Sequence, residues 1–360
     1  MESIYYVLCW HCHRRCKHCY EDRFRPYVRD ELEAVVAEAE RNSPKIIANL
    51  PETMLYDDLE SPVLGKAGSF EKKVGRIILS GGDVLTEPVR ERVLYPALEA
   101  IRDKYQNQGG VKVIVQTTGD LLTPKILQEL LDREVWSVSI SGMDDYHVGM
   151  QGDKRNSLIE ELKTMFANAG VEPAGEQMER RAKDKKDGAV YSMFGATEDT
   201  WVGKLWPRGR AWSNGLSTAT LDDNFCNAWS GGLNFLNWGQ SGSEVSIDPS
   251  GDVYPCCLKT AHPLGCLTEE PLSEVIDSLK DNPAIQAINA GTPERMGEDY
   301  GWNEEQFIDA CNTTDSKGND YANQCIGCDK FFTEVFAPVL NKLQQERRHR
   351  RLSVLASSVG

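Results

Sequence analysis

Two periodicities alternate along the first half of the chain. Residues 4–10 (IYYVLCW) are apolar without interruption and rich in β-branched and aromatic side chains, which suits a strand buried on both faces. Behind Asp30, a residue type that caps helices, Leu32, Val35, Val36 and Ala39 recur at helical spacing. The same pairing returns as a strand over 76–80 with a helix over 87–102, and as a strand over 111–116 with a helix over 124–131. It returns again as a strand over 135–140 with a helix carrying Leu158, Leu162, Met165 and Phe166. A further strand is expected over 189–194, and the pattern places no sixth. Parallel neighbours need crossover connections, and the helices supply them. The expected class is therefore α/β: a partial (β/α)6 parallel barrel followed by a smaller cysteine-rich α+β domain.

Segments 43–75 and 175–188 are too long for ordinary connections and read as insertions or lids. Residues 244–255 read as a hairpin turning at Asp248-Pro-Ser-Gly. We expect a barrel domain over 1–215 and an auxiliary domain over 216–340. The tail over 341–360, with Arg347, Arg348, Arg350 and Arg351, is expected to be flexible and solvated.

Charge and cysteine usage narrow the chemistry. A formal charge of −15 on 360 residues opposes a long phosphate backbone, so no nucleic-acid partner is expected. No stretch approaches the roughly 20 apolar residues of a membrane span, and Met1 to Trp10 lacks a charged n-region and a cleavage site. The expected location is cytoplasmic, away from the membrane. There, 11 cysteines point to metal or redox chemistry rather than disulfides. They fall in two sets: Cys9, Cys12, Cys16 and Cys19, then Cys226, Cys256, Cys257, Cys266, Cys311, Cys325 and Cys328.

Cys12, Cys16 and Cys19 follow the first strand in the order Cys-x3-Cys-x2-Cys. Three thiolates on one loop can each hold a different iron of a cubane cluster and leave the fourth iron open. The alternative is structural zinc, with Cys9, His11, His13 or His18 as fourth ligand.

The run Cys12-His-Arg-Arg-Cys16-Lys-His-Cys19 resembles the signature of the radical S-adenosylmethionine superfamily. Ser80-Gly81-Gly82-Asp83 resembles its glycine-rich motif, whose bare backbone admits the methionyl amine, although the family more often has Glu where Asp83 stands. Thr117 and Thr118, then Ser139 and Ser141, fall where the family contacts ribose and methionine. His18 takes the position beside the adenine. Arg210, in Pro-Arg-Gly-Arg-Ala, matches an element whose arginine meets the methionine carboxylate; a solvated loop is the alternative. The resemblance implies a 4Fe–4S cluster with an open iron, S-adenosylmethionine as cosubstrate, and an external one-electron reductant of flavodoxin or ferredoxin type.

Cys226, Gly251-x4-Cys256 and Cys325-x2-Cys328 resemble the auxiliary-cluster extension called SPASM, or its shorter relative, twitch. This implies one auxiliary iron-sulfur cluster on Cys226, Cys256, Cys325 and Cys328, with Cys311 as substitute ligand; a zinc clamp is the alternative. The full pattern is not met, because the later pair lacks its two following cysteines and extra ones stand at 257, 266 and 311. Adjacent soft donors at Cys256 and Cys257, with Cys266 nearby, suit a thiophilic substrate; packing on a strand is the alternative for Cys257. Asp144, Asp145 and His147, beyond the fourth strand, are candidates for substrate binding or proton transfer, or caps of the next helix.

Three functions follow. The first is radical modification of a peptide or small molecule. The second is transfer of a 3-amino-3-carboxypropyl group to an acceptor such as As(III), as in arsinothricin-type biosynthesis. The third is a non-enzymatic zinc or iron-sulfur protein.

Overall fold

The computed structural model describes residues 1–174, 188–196, 204–228 and 230–358. The insertion expected over 175–188 lies almost entirely outside these described residues.

The first strand, β1 (Ser3–Val7), is buried along its whole length because both its edges are paired. The strands that follow are β2 (Leu55–Pro62), β3 (Phe70–Val74), β4 (Arg76–Ser80), β5 (Lys112–Thr117), β6 (Val135–Ser141), β7 (Glu172–Pro173) and β8 (Val190–Phe194). The C-terminal part adds β9 (Glu244–Ile247), β10 (Asp252–Tyr254) and β11 (Gly265–Cys266). One nine-stranded sheet runs in the order β11-β10-β9-β1-β4-β5-β6-β8-β7. Its neighbours from β9 to β7 are parallel, while β9, β10 and β11 form an antiparallel edge.

The sheet is mainly parallel and curves as a partial barrel. Its inner face packs Tyr5, Val7, Ile78 and Ile114 with Trp10 and Phe24 from the cysteine loop. Its outer face packs against helices Arg29–Ala48, Tyr95–Tyr105, Pro124–Leu131 and Asp153–Asn168, through residues such as Val36, Leu98, Leu127 and Phe166. Strands buried on both faces explain why their sequences read as unbroken apolar runs.

Several elements depart from the sequence reading. The first helix starts from Val28 with no side-chain cap, so Asp30 lies inside its first turn, and it continues through Pro44. Segment 43–75 contains the end of that helix and the β2–β3 hairpin. The sixth parallel strand is β9, which joins the barrel beside β1, with Ser3 opposite Glu244. The residues after 216 thus extend the first sheet, and their apolar side chains share its core.

The expected flexible tail is corrected by the helix Ala337–Ser358. Arg347 is 1% exposed: its Nε donates to Glu270 Oε2 at 2.7 Å, and its Nη2 donates to Glu270 Oε1 at 2.9 Å and to the Leu264 carbonyl at 3.0 Å. Arg351 also bonds Glu270, at 2.9 Å. A basic sequence here marks a buried ion pair rather than a solvated end.

Replacing Arg347 with Met leaves Glu270 buried with only Arg351 as cationic partner. The expected cost is about 3 kcal/mol, read by chemical denaturation.

A second prediction concerns the turn between β9 and β10. Asp248 Oδ1 accepts from the Ser250 amide at 2.9 Å, and burial pushes this carboxyl from 3.8 up to about 6 against the pull of Lys259 and Arg23. A raised folded value means that the stabilisation present below about pH 4 is lost as pH rises through about 6. Asp248→Asn keeps the turn's acceptor and removes this loss. Its stability relative to the parent should climb across that window by up to about 3 kcal/mol, and a flat difference would refute the assignment.

Candidate active site

The cysteine loop leaves β1 where the Leu8 amide meets the Ser80 carbonyl at 2.7 Å. It has little regular structure of its own, so its backbone groups need partners from elsewhere. Arg210 provides them. Its Nε donates to the Cys16 carbonyl at 2.8 Å, its Nη1 to the Asp22 carbonyl at 2.8 Å and the Glu21 carbonyl at 3.3 Å, and its Nη2 to the Phe24 carbonyl at 2.7 Å. The Ala211 amide bonds the Cys19 carbonyl at 3.1 Å. Gly209 makes this approach with φ of 49°; a side chain there would lie 2.5 Å from the Tyr20 carbonyl carbon. Arg210 is neither a solvated loop residue nor free to meet a carboxylate, because its donors hold the loop that carries the thiols.

Glycines at the end of β4 serve the same packing. A Cβ on Gly82 would sit 2.2 Å from the His11 oxygen and 2.6 Å from the Cys12 Cβ. The Gly82 and Asp83 amides bond the Cys9 and His11 carbonyls at 3.1 and 3.0 Å. Bare backbone is needed here first so that two loops can nest.

Beside these loops opens a cavity of about 210 Å³. It gathers Cys12, Cys16, Cys19, His18, Ser80, Gly81, Gly82, Thr117, Thr118, Ser141, Arg210, His147 and Cys257 among its walls. Four other expected residues lie elsewhere. Asp83 is buried behind the wall, where Thr117 Oγ1 donates to it at 2.9 Å and Thr118 Oγ1 at 2.7 Å. Ser139 pairs with Ser192 Oγ at 2.9 Å. Asp145 is on the surface, bonded to Arg155 at 2.6 Å. Cys266 lies at the sheet edge, 3.1 Å from Thr268 Oγ1.

Beyond β6 the acid that matters is Asp144. Its Oδ1 accepts from His147 Nδ1 at 2.8 Å and from the Tyr146 amide at 2.9 Å, while Oδ2 accepts from the Ala196 amide at 2.9 Å. Burial works to raise its carboxyl, but these bonds and the His147 charge outweigh it and hold the group well below the usual range. His18 stacks on Tyr146 at 5.3 Å and meets His147 edge-on at 4.5 Å. Burial, then His147, lowers His18 to about 4, so it is a neutral ring near pH 7.

Sequence reading did not find Tyr5, Tyr20 and Gln116, which also line the cavity. The Tyr5 hydroxyl bonds Ser80 Oγ at 2.7 Å, Gln116 Oε1 at 3.0 Å and Tyr20 Oη at 3.3 Å. A polar tyrosine inside an apolar strand was the available signal.

The second cysteine set is also gathered. Cys226, Cys256, Cys325 and Cys328 are buried close enough that each thiol's charge bears on others of the set; burial is the larger cause raising each thiol, with Cys256 and Cys325 at about 12 and 11. Arg208 fastens this set, donating to the Cys325 carbonyl at 3.2 Å, the Leu258 carbonyl at 3.1 Å and Asp329 at 2.9 Å. Cys311 instead donates to the Phe307 carbonyl at 3.2 Å, in the core. The adjacent pair divides: Cys256 belongs to the set, whereas Cys257 faces the cavity and packs against the cluster of side chains that includes Tyr5.

Tetrahedral zinc, at about 2.3 Å from each sulfur, would draw thiolates to roughly 3.8 Å of one another. Among the described residues, the trios whose ligand atoms all lie within 4.8 Å are His18, Asp144, His147 and His13, Asp83, Asp120, with no cysteine in either.

Residues 240–296 match the model of the SPASM iron-sulfur cluster-binding domain. No curated protein matches the chain. Solved structures similar to it include anSMEcpe with bound AdoMet, at 14% identity and a TM-score of 0.42 over 99% of this chain and 100% of that one. BtrN in complex with AdoMet and 2-DOIA is similar at 14% identity and 0.41, over 84% and 92%. Streptococcus suis SuiB bound to S-adenosylmethionine is similar at 12% and 0.38, over 80% and 67%. At these values the likenesses bear no weight on chemistry. The SPASM match covers residues 240–296, and the loop of Cys12, Cys16 and Cys19 opens on the same cavity as Cys257 of that region. Among the described residues no helix is long and apolar enough to cross a membrane.

Arg210→Met should leave four loop carbonyls without these donors. After anaerobic reconstitution we expect iron held by the first cysteine set to fall several-fold while the auxiliary iron stays. Wild-type iron content in the variant would show that the loop holds without Arg210.

Proposed function

We propose that Cys12, Cys16 and Cys19 hold a 4Fe–4S cluster with an open iron, at which S-adenosylmethionine is cleaved reductively to drive radical modification of a peptide or small-molecule substrate. The observation that carries this reading is the shared cavity. Three thiols, strand ends from β4 to β6 and the cavity-facing side of the SPASM region all open onto one space. The donor set fits the group: three spaced soft thiols, with a close-packed glycine backbone beneath them.

When bound, the cluster and cosubstrate supply an electron and a carbon radical. The chain's own residues bind, shield and accept protons. His18, neutral and stacked on Tyr146, offers a flat face for an adenine. Ser141 offers a hydroxyl along the wall for a ribose or amino acid. Tyr20, Trp206 and Phe225 cover the space with apolar surface and exclude water. Asp144 orients His147 through Nδ1, which leaves the other ring nitrogen to take a proton from substrate. Cys226, Cys256, Cys325 and Cys328 would hold one auxiliary cluster, with Cys256 joined by a single peptide bond to the cavity-facing Cys257.

The carboxypropyl-transfer alternative gains no support from geometry. Its motivation was a pair or trio of thiols at 256, 257 and 266; Cys256 and Cys257 pack on one apolar cluster, whereas Cys266 lies apart at the sheet edge against Thr268.

The test is product analysis after anaerobic reconstitution and reduction with dithionite. 5′-Deoxyadenosine is expected; methylthioadenosine would point to carboxypropyl transfer, and no cleavage to a non-enzymatic protein. Replacing Cys12, Cys16 and Cys19 together with Ala should reduce cleavage to background, and retained cleavage would overturn the assignment. Replacing Cys325 and Cys328 should remove a separate fraction of the iron.

A further inference from the structure

Four of the 11 cysteines line the cavity, and the cluster reading uses only Cys12, Cys16 and Cys19. The fourth is Cys257, a half-buried thiol that reaches the wall from the SPASM region. The remaining thiols outside the two sets are placed elsewhere. Cys9 is in the core, Cys311 donates to the Phe307 carbonyl at 3.2 Å, and Cys266 meets Thr268 Oγ1 at 3.1 Å. Among the described residues the Cys257 sulfur makes no hydrogen bond to another residue.

The position of this thiol is fixed from both sides of its turn. The Cys257 amide donates to the Ser230 carbonyl at 3.0 Å, and Arg208 Nε donates to the next carbonyl, that of Leu258, at 3.1 Å. Lys259 Nζ then reaches across to Glu21 Oε2 at 2.6 Å, in the cysteine loop. These contacts set Cys257 beside Tyr20, and the two pack against the same two apolar clusters. Among the described residues the Tyr20 hydroxyl bonds only the Tyr5 hydroxyl, at 3.3 Å, which is long for two hydroxyls. Cys257 is also within electrostatic reach of both phenols.

We propose that Cys257 is the hydrogen-atom donor of this cavity: its S–H bond breaks as a C–H bond forms on a carbon radical of the substrate. The inference deepens the radical reading of the site and rests on it. An S–H bond is weaker than an aliphatic C–H bond, so the transfer runs downhill, and the side chains that exclude water leave few other donors in reach. One hydrogen atom leaves the substrate for the radical that starts the reaction, and one returns from sulfur. The substrate is therefore isomerised or inverted in configuration rather than oxidised. The sulfur radical left behind takes one proton from solvent and one electron from a reduced iron-sulfur carrier, and its chain neighbour Cys256 belongs to the auxiliary set.

The experiment needs no substrate. Reconstituted full-length enzyme is given S-adenosylmethionine and dithionite in deuterium oxide, so that the radical must be quenched by the protein and dithionite restores the thiol. The mass of the 5′-deoxyadenosine formed is then read. In the parent most molecules should carry one solvent deuterium. Cys257→Ala should lower that fraction several-fold, while Tyr20→Phe, which removes the neighbouring exchangeable hydrogen, should keep it. The fraction is counted per molecule of product, so a variant that cleaves slowly still reports.

Unlabelled product from the parent, or full labelling in Cys257→Ala, would overturn the proposal. Loss of label in Tyr20→Phe would give the donor role to the phenol and overturn it too. A second readout is independent of turnover: anaerobic iodoacetamide followed by peptide mapping should mark Cys257 and spare Cys256, whereas protection of both would make Cys257 a cluster ligand and not a donor. A parent that forms no 5′-deoxyadenosine at all is a different result, because it sinks the reading of the loop on which the donor depends.

Discussion

Arg210 holding the carbonyls of Cys16, Glu21, Asp22 and Phe24 is the contact on which the site depends. A loop that presents thiols on one side cannot also satisfy its carbonyls through a helix or a ladder. One buried guanidinium, with donors fixed in a fork, replaces that missing structure. The loop's shape is thereby set by a residue nearly two hundred positions later. The first cysteine site exists only when the end of the barrel region has folded against its beginning.

The same stretch ties the second site to the first. Arg208, two residues before Arg210, holds the Cys325 carbonyl and Asp329, so one short segment clamps both cysteine sets from opposite sides. The sheet repeats this coupling. β1 pairs on one edge with β4, whose end carries the glycines under the cysteine loop, and on the other with β9, whose hairpin leads to Cys256. Cys256 and Cys257 mark the junction, one thiol turned to the auxiliary set and the other to the cavity.

Polar groups beneath the cavity are largely consumed by one another. Asp83 spends its acceptors on Thr117 and Thr118, and Asp120 binds His13 and Arg14. Among the residues expected to contact the cosubstrate, those with available surface are therefore the wall residues His18 and Ser141 rather than Asp83 or Thr118. Buried polar atoms need partners, and a motif residue that has found them inside the protein is not free to serve a ligand.

What the sequence determined alone was whatever depends on neighbours in the chain. Apolar runs placed β4 and β8 within a residue; β4 is buried along its whole length, β8 fully only at Val190. Cysteine spacing divided the cysteines into two sets, and the turn residues Asp248-Pro-Ser-Gly marked the hairpin, since turns are set by local geometry. Tertiary structure decided the rest. The strand β9 was legible only as one arm of a hairpin; its parallel place beside β1, over two hundred residues away, was not. Arg347 looked like a solvent residue because charge predicts exposure, and Arg210 like a partner for the cosubstrate's carboxylate; both instead bond protein groups from distant segments. The choice between Cys256 and Cys257 likewise could not be read from two adjacent identical residues. It depends on which side of the turn faces the other cysteines, and only the folded chain sets that.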